Sequence, residues 1–323
     1  MPARLAESRP RGVVFGGRSR FHRARMVAVH DDQIDINLGQ VVALVSDQLP
    51  DLVGMDVVAI ASAGTVNAIF RIGDEVTARF PLRRADPDRV RHDLQREMRA
   101  AIEFHRVCPV PSAEPFHLGS PGHGYPLPWT AQSWIPGTMA SATSCQYSSA
   151  IAHELALLIE RLRAVDTRGR SFGGSGRGGV LSDHDVWVEE CIARSEGLVD
   201  TEAMRVMWQR FRVLPREGPD AMCHGDLTPS NLLVAGEHLV GVLDAGGFGA
   251  ADPALDLVGA WHLLASASRE EFRVAVGCDD LQWERGKAWA FEQAAGAYWY
   301  YRDTNQAMAE MGRTTLHRLL TEA

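Results

Sequence analysis

Apolar positions change their spacing more than once along the chain. Leu38, Val41, Val42, Val45 and Leu49 fall on one face of a helical period, with Asn37 placed to cap the helix and Pro50 to end it. Residues 56 to 82, DVVAIASAGTVNAIFRIGDEVTARFPL, are instead short runs rich in Val, Ile and Phe, broken at Ala63-Gly64 and at Gly73-Asp74. A Gly-Asp pair between two such runs is a two-residue hairpin signal, so three consecutive antiparallel strands are expected. The helical period returns over residues 86–106, and WTAQSWIPG, residues 129–137, has the pattern of a last strand entering a connector.

Beyond residue 137 the pattern changes to helices. SSAIAHELALLIERLRAVD, residues 148–166, is apolar at helical spacing, and two further amphipathic segments lie around 183–196 and 201–213. Between them, RGRSFGGSGRGG at 168–179 has the composition of a flexible loop. A helix is expected from about Pro253 to Leu264, with more from about residue 280 onward. The pattern therefore predicts an α+β chain: a small antiparallel β-rich lobe followed by a larger helical one, without internal repeats. Residues 1–25, arginine- and glycine-rich without apolar period, are an extension outside this fold. The small lobe takes residues 26–135 and the helical lobe 136–323.

Composition narrows the function. At 323 residues, 46% hydrophobic and 23% charged, the chain has an ordinary globular make-up; no apolar run reaches the length of a membrane span and no charged n-region leads into an apolar h-region, so neither membrane insertion nor secretion is expected. Cytoplasmic residence is the expectation. Five scattered cysteines suggest reduced thiols rather than a disulfide framework or zinc site. With 41 acidic against 33 basic residues the net charge is −8, which disfavours nucleic acid and favours a cationic ligand. Lys287 is the one lysine, so any phosphate-holding cation earlier in the chain must be another residue type.

The chemistry concentrates in CHGDLTPSNLLVAGEHLVGVLDAG, residues 223–246. Two short apolar runs flank a turn at Ala235-Gly236-Glu237-His238, and this hairpin works as a ruler that sets Asp226 and Asn231 on one loop and Asp244 on the next. The order is that of a phosphotransferase catalytic loop and metal loop. Asp226 would serve the attacking hydroxyl, and Asn231 and Asp244 would offer oxygen to magnesium. His224 has the place of a structural imidazole bonded to nearby backbone, Asp252 of a helix cap and Asp256 of a brace for the catalytic loop. Glu189, Glu190 and Glu196 are expected to form a solvated helix face, with contact to a cationic substrate as the alternative.

HGDLTPSN together with GVLDAGGFGAADPALDL resembles the signature of the aminoglycoside phosphotransferase family, small-molecule kinases with a bilobal protein-kinase-like fold. Weaker likeness runs from about residue 36 to the C-terminus. The resemblance implies ATP or GTP between the lobes, its adenine against the backbone near Gln132 to Trp134, and acceptor specificity from the helical lobe. It implies a phosphate loop at SAGTVN with Ser62, Gly64, Thr65 and Asn67 as contacts, and Arg79 with Glu97 where such enzymes pair a lysine with a glutamate. The implied acceptor is an aminoglycoside or similar cationic antibiotic. A metabolic kinase of a sugar, amino alcohol or amino-acid derivative is the alternative enzyme, and a nucleotide-binding pseudoenzyme the alternative outside enzymes.

Overall fold

The computed structural model describes residues 34–60, 66–174 and 176–322. Asn37 opens α1 (Leu38–Gln48) through a reciprocal capping box, its side chain accepting from the Gln40 amide while Gln40 accepts from the Asn37 amide, both at 3.0 Å. The buried face is rotated from the expected one. Val41, Leu44 and Val45 are buried, whereas Leu38 and Val42 remain exposed, because the stripe through Leu44 is the one that meets the sheet.

Three strands come next in the expected order: β1 (Val57–Ile60), β2 (Asn67–Ile72) and β3 (Val76–Pro81). The turn between β2 and β3 has three residues rather than two. Glu75 leaves the ladder, and its carbonyl accepts from the Trp134 amide at 2.7 Å. α2 (Pro87–His105) is capped by Asp86, whose side chain accepts from the Arg89 amide, with Pro87 at its first position. The sheet then gains a strand that the apolar pattern did not show, β4 (Pro115–Gly119), beside β5 (Trp129–Ser133), giving the antiparallel order β1-β2-β3-β5-β4. Phe80 centres this lobe's core, stacked on Trp129 at 5.0 Å and edge-on to Phe70 and Tyr125.

The second lobe contains β6 (Thr138–Met139), α3 (Ala142–Cys145), α4 (Ser149–Arg163), α5 (Asp185–Arg194) and α6 (Thr201–Phe211). β7 (Ala221–Cys223), β8 (Leu232–Ala235), β9 (His238–Val242) and β10 (Gly249–Ala251) come after them; β8 pairs with β6 and β9, and β7 with β10. α7 (Gly259–Leu263), α8 (Ser266–Val276), α9 (Asp280–Tyr300) and α10 (Gln306–Thr321) close the chain. The helix expected from Pro253 to Leu264 is a 3-10 turn over Leu255–Val258 running into the short α7, and α8 precedes the helices expected from residue 280. α2 belongs to both lobes: Val90 packs on the small core, while Ala101 and Phe104 are part of the large one.

Asp252 does more than cap. Its Oδ1 accepts from the Ala254 amide at 3.0 Å, and its Oδ2 accepts from Arg285 Nε and Nη2 at 2.9 and 2.6 Å and from Trp289 Nε1 at 2.9 Å. Arg285 also donates to the carbonyls of Leu214, Pro215 and Gly179. The glycine-rich segment is thereby fastened at its end. The Asp252 amide donates to the Gly178 carbonyl, and a Cβ on Gly178, at φ +108°, would stand 2.8 Å from that of Ala251. Glycine is required at this one position for close approach, whereas Gly169, Gly173 and Gly176 have open space around them. The 1–25 extension and the phosphate-loop residues Ser62, Gly64 and Thr65 lie outside the described residues. No helix among those described is long and apolar enough to cross a membrane.

Candidate active site

A cleft of about 390 Å³ separates the sheet from the helical lobe, and both expected loops open into it. β7 delivers the chain to His224, where a buried carboxylate takes over: Asp256 accepts from the amides of His224 and Gly225 at 2.7 and 2.9 Å. Burial pushes the Asp256 carboxyl up from its ordinary value. Gly225 has φ +87°, a left-handed conformation that lets the chain turn so that both amides meet that carboxylate. His224 Nε2 donates to the Leu243 carbonyl at 2.9 Å and Nδ1 accepts from the Asp226 amide at 3.3 Å, the pattern of an uncharged imidazole. One ring thus ties the Asp226 loop to the residue before Asp244.

Asp226, Asn231 and Asp244 all line this cleft. Asn231 Nδ2 donates to both the backbone carbonyl and Oδ2 of Asp226 at 2.9 Å, so the side-chain oxygen Oδ1 carries no hydrogen bond among the described residues. Asp244 adopts φ 58°, ψ 44°, a left-handed conformation uncommon outside glycine. Its Oδ1 accepts from Arg79 Nη2 at 2.9 Å, and the guanidinium holds the Asp244 carboxyl below the usual carboxylate range. Among the described residues no three His, Cys, Asp or Glu side chains converge as a metal site. The donor set here is instead one amide oxygen and one carboxylate, and a magnesium ion that keeps phosphate and water ligands suits such a set.

Arg79 is the point where expectation and geometry part. β3 brings it to the cleft, but its ion pair is with Asp244 and not with Glu97. Glu97 on α2 faces the same rear corner, its Cβ so near the metal loop that a Cβ on Gly246 would stand 3.0 Å away. Burial raises the Glu97 carboxyl, with Arg79 the leading charge that opposes the shift. Asp244 is thus the nearer carboxylate and takes the guanidinium.

Beside Arg79, on the strands paired to either side of β3, stand Asn67 at the start of β2 and Gln132 in β5, with Trp134 just past the end of β5. The amides of Ser133 and Trp134 are already committed, to the carbonyls of Glu114 and Glu75 at 3.0 and 2.7 Å. The Arg71 guanidinium lies over the Trp134 ring at 5.0 Å. Ile135, the next residue along the cleft, has an amide without a hydrogen bond among the described residues.

Residues 57–291 match the family model described as "Phosphotransferase enzyme family". The chain belongs to this phosphotransferase family. No curated protein matches it by sequence. Among solved structures it is similar to the GDP complex of wild-type aminoglycoside 2'-phosphotransferase-IIIa, at 17% identity and TM-score 0.66, over 89% of this chain and 99% of the other. The macrolide 2'-phosphotransferase MphH from Brachybacterium faecium, as apoenzyme, matches at 18% identity and TM-score 0.58, over 88% of this chain and 99% of the other. The bilobal kinase-like α+β fold is therefore as expected, and the chain is a phosphotransferase.

This phosphotransferase carries further groups at the cleft that its motifs did not disclose. Arg177, from the end of the glycine-rich segment, places Nη2 3.4 Å from Asp226 Oδ1. Its Nη1 is 3.6 Å from Glu292 Oε2, and Glu292 Oε1 meets His184 Nδ1 at 3.0 Å. Tyr301 and Met308, beyond α9, add an aromatic and an apolar surface beside the catalytic loop. One signal was present in the sequence: Glu292 interrupts the apolar run AWAFEQAAGAY, and a carboxylate in such a run has to find a partner.

Proposed function

We propose that the chain transfers the γ-phosphate of ATP or GTP to a hydroxyl of an aminoglycoside or similar antibiotic. The observation that carries this reading is the convergence of Asp226, Asn231 and Asp244 on one cleft, with Asn231 locked to Asp226 by two hydrogen bonds. Asp226 orients the acceptor hydroxyl and takes up its proton, since a carboxylate oxygen held by Asn231 still has a lone pair for it. Asn231 Oδ1 and the Asp244 carboxylate are the groups that would hold magnesium, which when bound neutralises charge on the phosphates. Arg79 positions the phosphates, with Glu97 behind it. The wall at Asn67, Gln132 and Trp134 faces the nucleotide, and the free donor there for a nucleobase is the Ile135 amide. A reaction that consumes ATP or GTP belongs in the cytoplasm, where those nucleotides are held.

The support from relatives is structural. The neighbours act on aminoglycosides and macrolides, and the class of acceptor is drawn from them. The decisive experiment incubates the purified chain with ATP or GTP, magnesium and a panel of aminoglycosides, macrolides, sugars and amino alcohols, and reads the mass gain of the acceptor. A phosphate added to an antibiotic supports the proposal. A phosphate added only to a sugar or amino alcohol replaces it with the metabolic kinase. One observation favours the pseudoenzyme: Arg79 stands in place of the lysine and occupies the Asp244 carboxylate. Tight nucleotide binding without transfer or hydrolysis would decide for that reading.

A further inference from the structure

The geometry points to Arg177 as the positioning residue for Asp226, aimed by a buried Glu292–His184 pair. This rests on the phosphotransfer reading and adds to it a residue outside the HGD and metal loops. Asp226 has its Oδ2 fixed by Asn231 at 2.9 Å, and Arg177 faces the other oxygen at 3.4 Å, so the two donors together restrict rotation of the carboxylate. Both Arg177 contacts, 3.4 and 3.6 Å, have the spacing of ion pairs rather than close hydrogen bonds. Arg177 therefore acts by charge and direction.

The direction has a physical source. Glu292 is only 3% exposed, in the middle of α9, and Arg177 and His184 are the cations beside it among the described residues. His184 lies edge-on to Trp289 at 5.2 Å and also bonds the Gly176 backbone, next to Arg177 itself. The two glycines after Arg177 are held as well, Gly178 by the Asp252 amide and Gly179 by Arg285. The segment that carries Arg177 is thus fastened on both sides of it. A buried charge cluster of this kind adds little net stability, because desolvation cancels most of the attraction, so its retention is better explained by what it aims. Nη1 meets Glu292 and Nη2 meets Asp226, one amino group to each carboxylate.

The test uses the full chain with magnesium and two probes: hydrolysis of ATP and GTP by water, and transfer to whichever panel compound gains mass. Arg177→Gln should lower kcat on the order of tenfold to a hundredfold with nucleotide KM unchanged, the signature of a misdirected group rather than a lost binding contact, while the fold, held at Glu292 by His184 alone, loses some thermal stability. Arg177→Lys should recover part of it, since an ammonium keeps the charge but lacks the two-pronged reach. Glu292→Gln should reproduce the direction of the loss, and Arg177→Gln added to Asp226→Asn should cost nothing more. Wild-type kcat in Arg177→Gln, or a further loss in the Asp226→Asn background, overturns the inference.

Absence of any wild-type turnover would remove the phosphotransfer reading alone, and nitrogen NMR of the guanidinium then decides the geometry. Arg177 should show separate signals for its two amino groups, which merge in Glu292→Gln and in Asp226→Asn. Merged signals in the wild type would show that nothing holds it.

Discussion

Replacing Arg285 by Met removes a cation from the interior and leaves its counter-charge behind. Asp252 and Arg285 are each 3% exposed, and the guanidinium supplies two of the three hydrogen bonds to Asp252 Oδ2. Breaking a buried pair from one side costs about 3–5 kcal/mol. The carbonyls of Gly179, Leu214 and Pro215 also lose a donor, each worth about 1 kcal/mol where water does not reach. Trp289 and the Ala254 amide still serve Asp252 and offset part of this, so a net loss of about 4 kcal/mol is expected. In a chain of this size that lowers the melting temperature by roughly 10 °C. Urea titration followed by circular dichroism measures it. The combined Asp252→Asn, Arg285→Met variant should lose less than the two single variants added together, since neither partner is left charged and alone. A loss under about 1 kcal/mol in Arg285→Met would refute the reasoning, for it would mean that the pair is solvated in the folded protein.

Asp244→Ala should cut phosphate transfer by roughly three orders of magnitude with the melting curve unchanged, as read in the coupled transfer assay; near-normal turnover at saturating magnesium would remove Asp244 from the metal site. Arg79→Ala should weaken nucleotide use strongly, and Arg79→Lys should fall between alanine and the native residue in kcat/KM; equal activity of all three would make Arg79 an ordinary strand residue. The hydrogen bond from His184 to Glu292 raises the proton affinity of His184 above its ordinary 6.5, so its stabilisation is complete below that pH and fades as pH rises through the higher folded value. Melting temperatures of wild type and His184→Gln should therefore converge as pH rises above about 6.5, and a gap independent of pH would refute the assignment.

What could be foreseen was local. Asn37 and Gln40, three residues apart, announce the α1 cap by chemistry that needs no partner from elsewhere. The run from His224 to Asp244 is equally self-contained, since the β8–β9 hairpin lies between the two loops it spaces, and Asp256 braces those loops from only a short distance along the chain. Long-range geometry was not legible. Arg79 chose Asp244, a residue 165 positions away, over the glutamate expected on the next helix. Arg177 sits in a segment whose glycines suggested looseness, and the close approach of Gly178 to Ala251 just after it depends on atoms placed by another part of the fold. β4 was overlooked because its register comes from β5 and not from an alternation of its own.

The rod formed by α2 has a mechanical consequence. Because Val90 packs against the small core and Phe104 is buried in the large one, edge-on to both His224 and Phe248, swinging the sheet away about residues 134–137 would break one of these contacts. Sliding of the sheet along the rod's length, a shear of small amplitude, would keep both sets of contacts. The same anchorage joins the melting of the two halves: losing either core withdraws packing from a helix that the other depends on, so heat should release both in a single cooperative step.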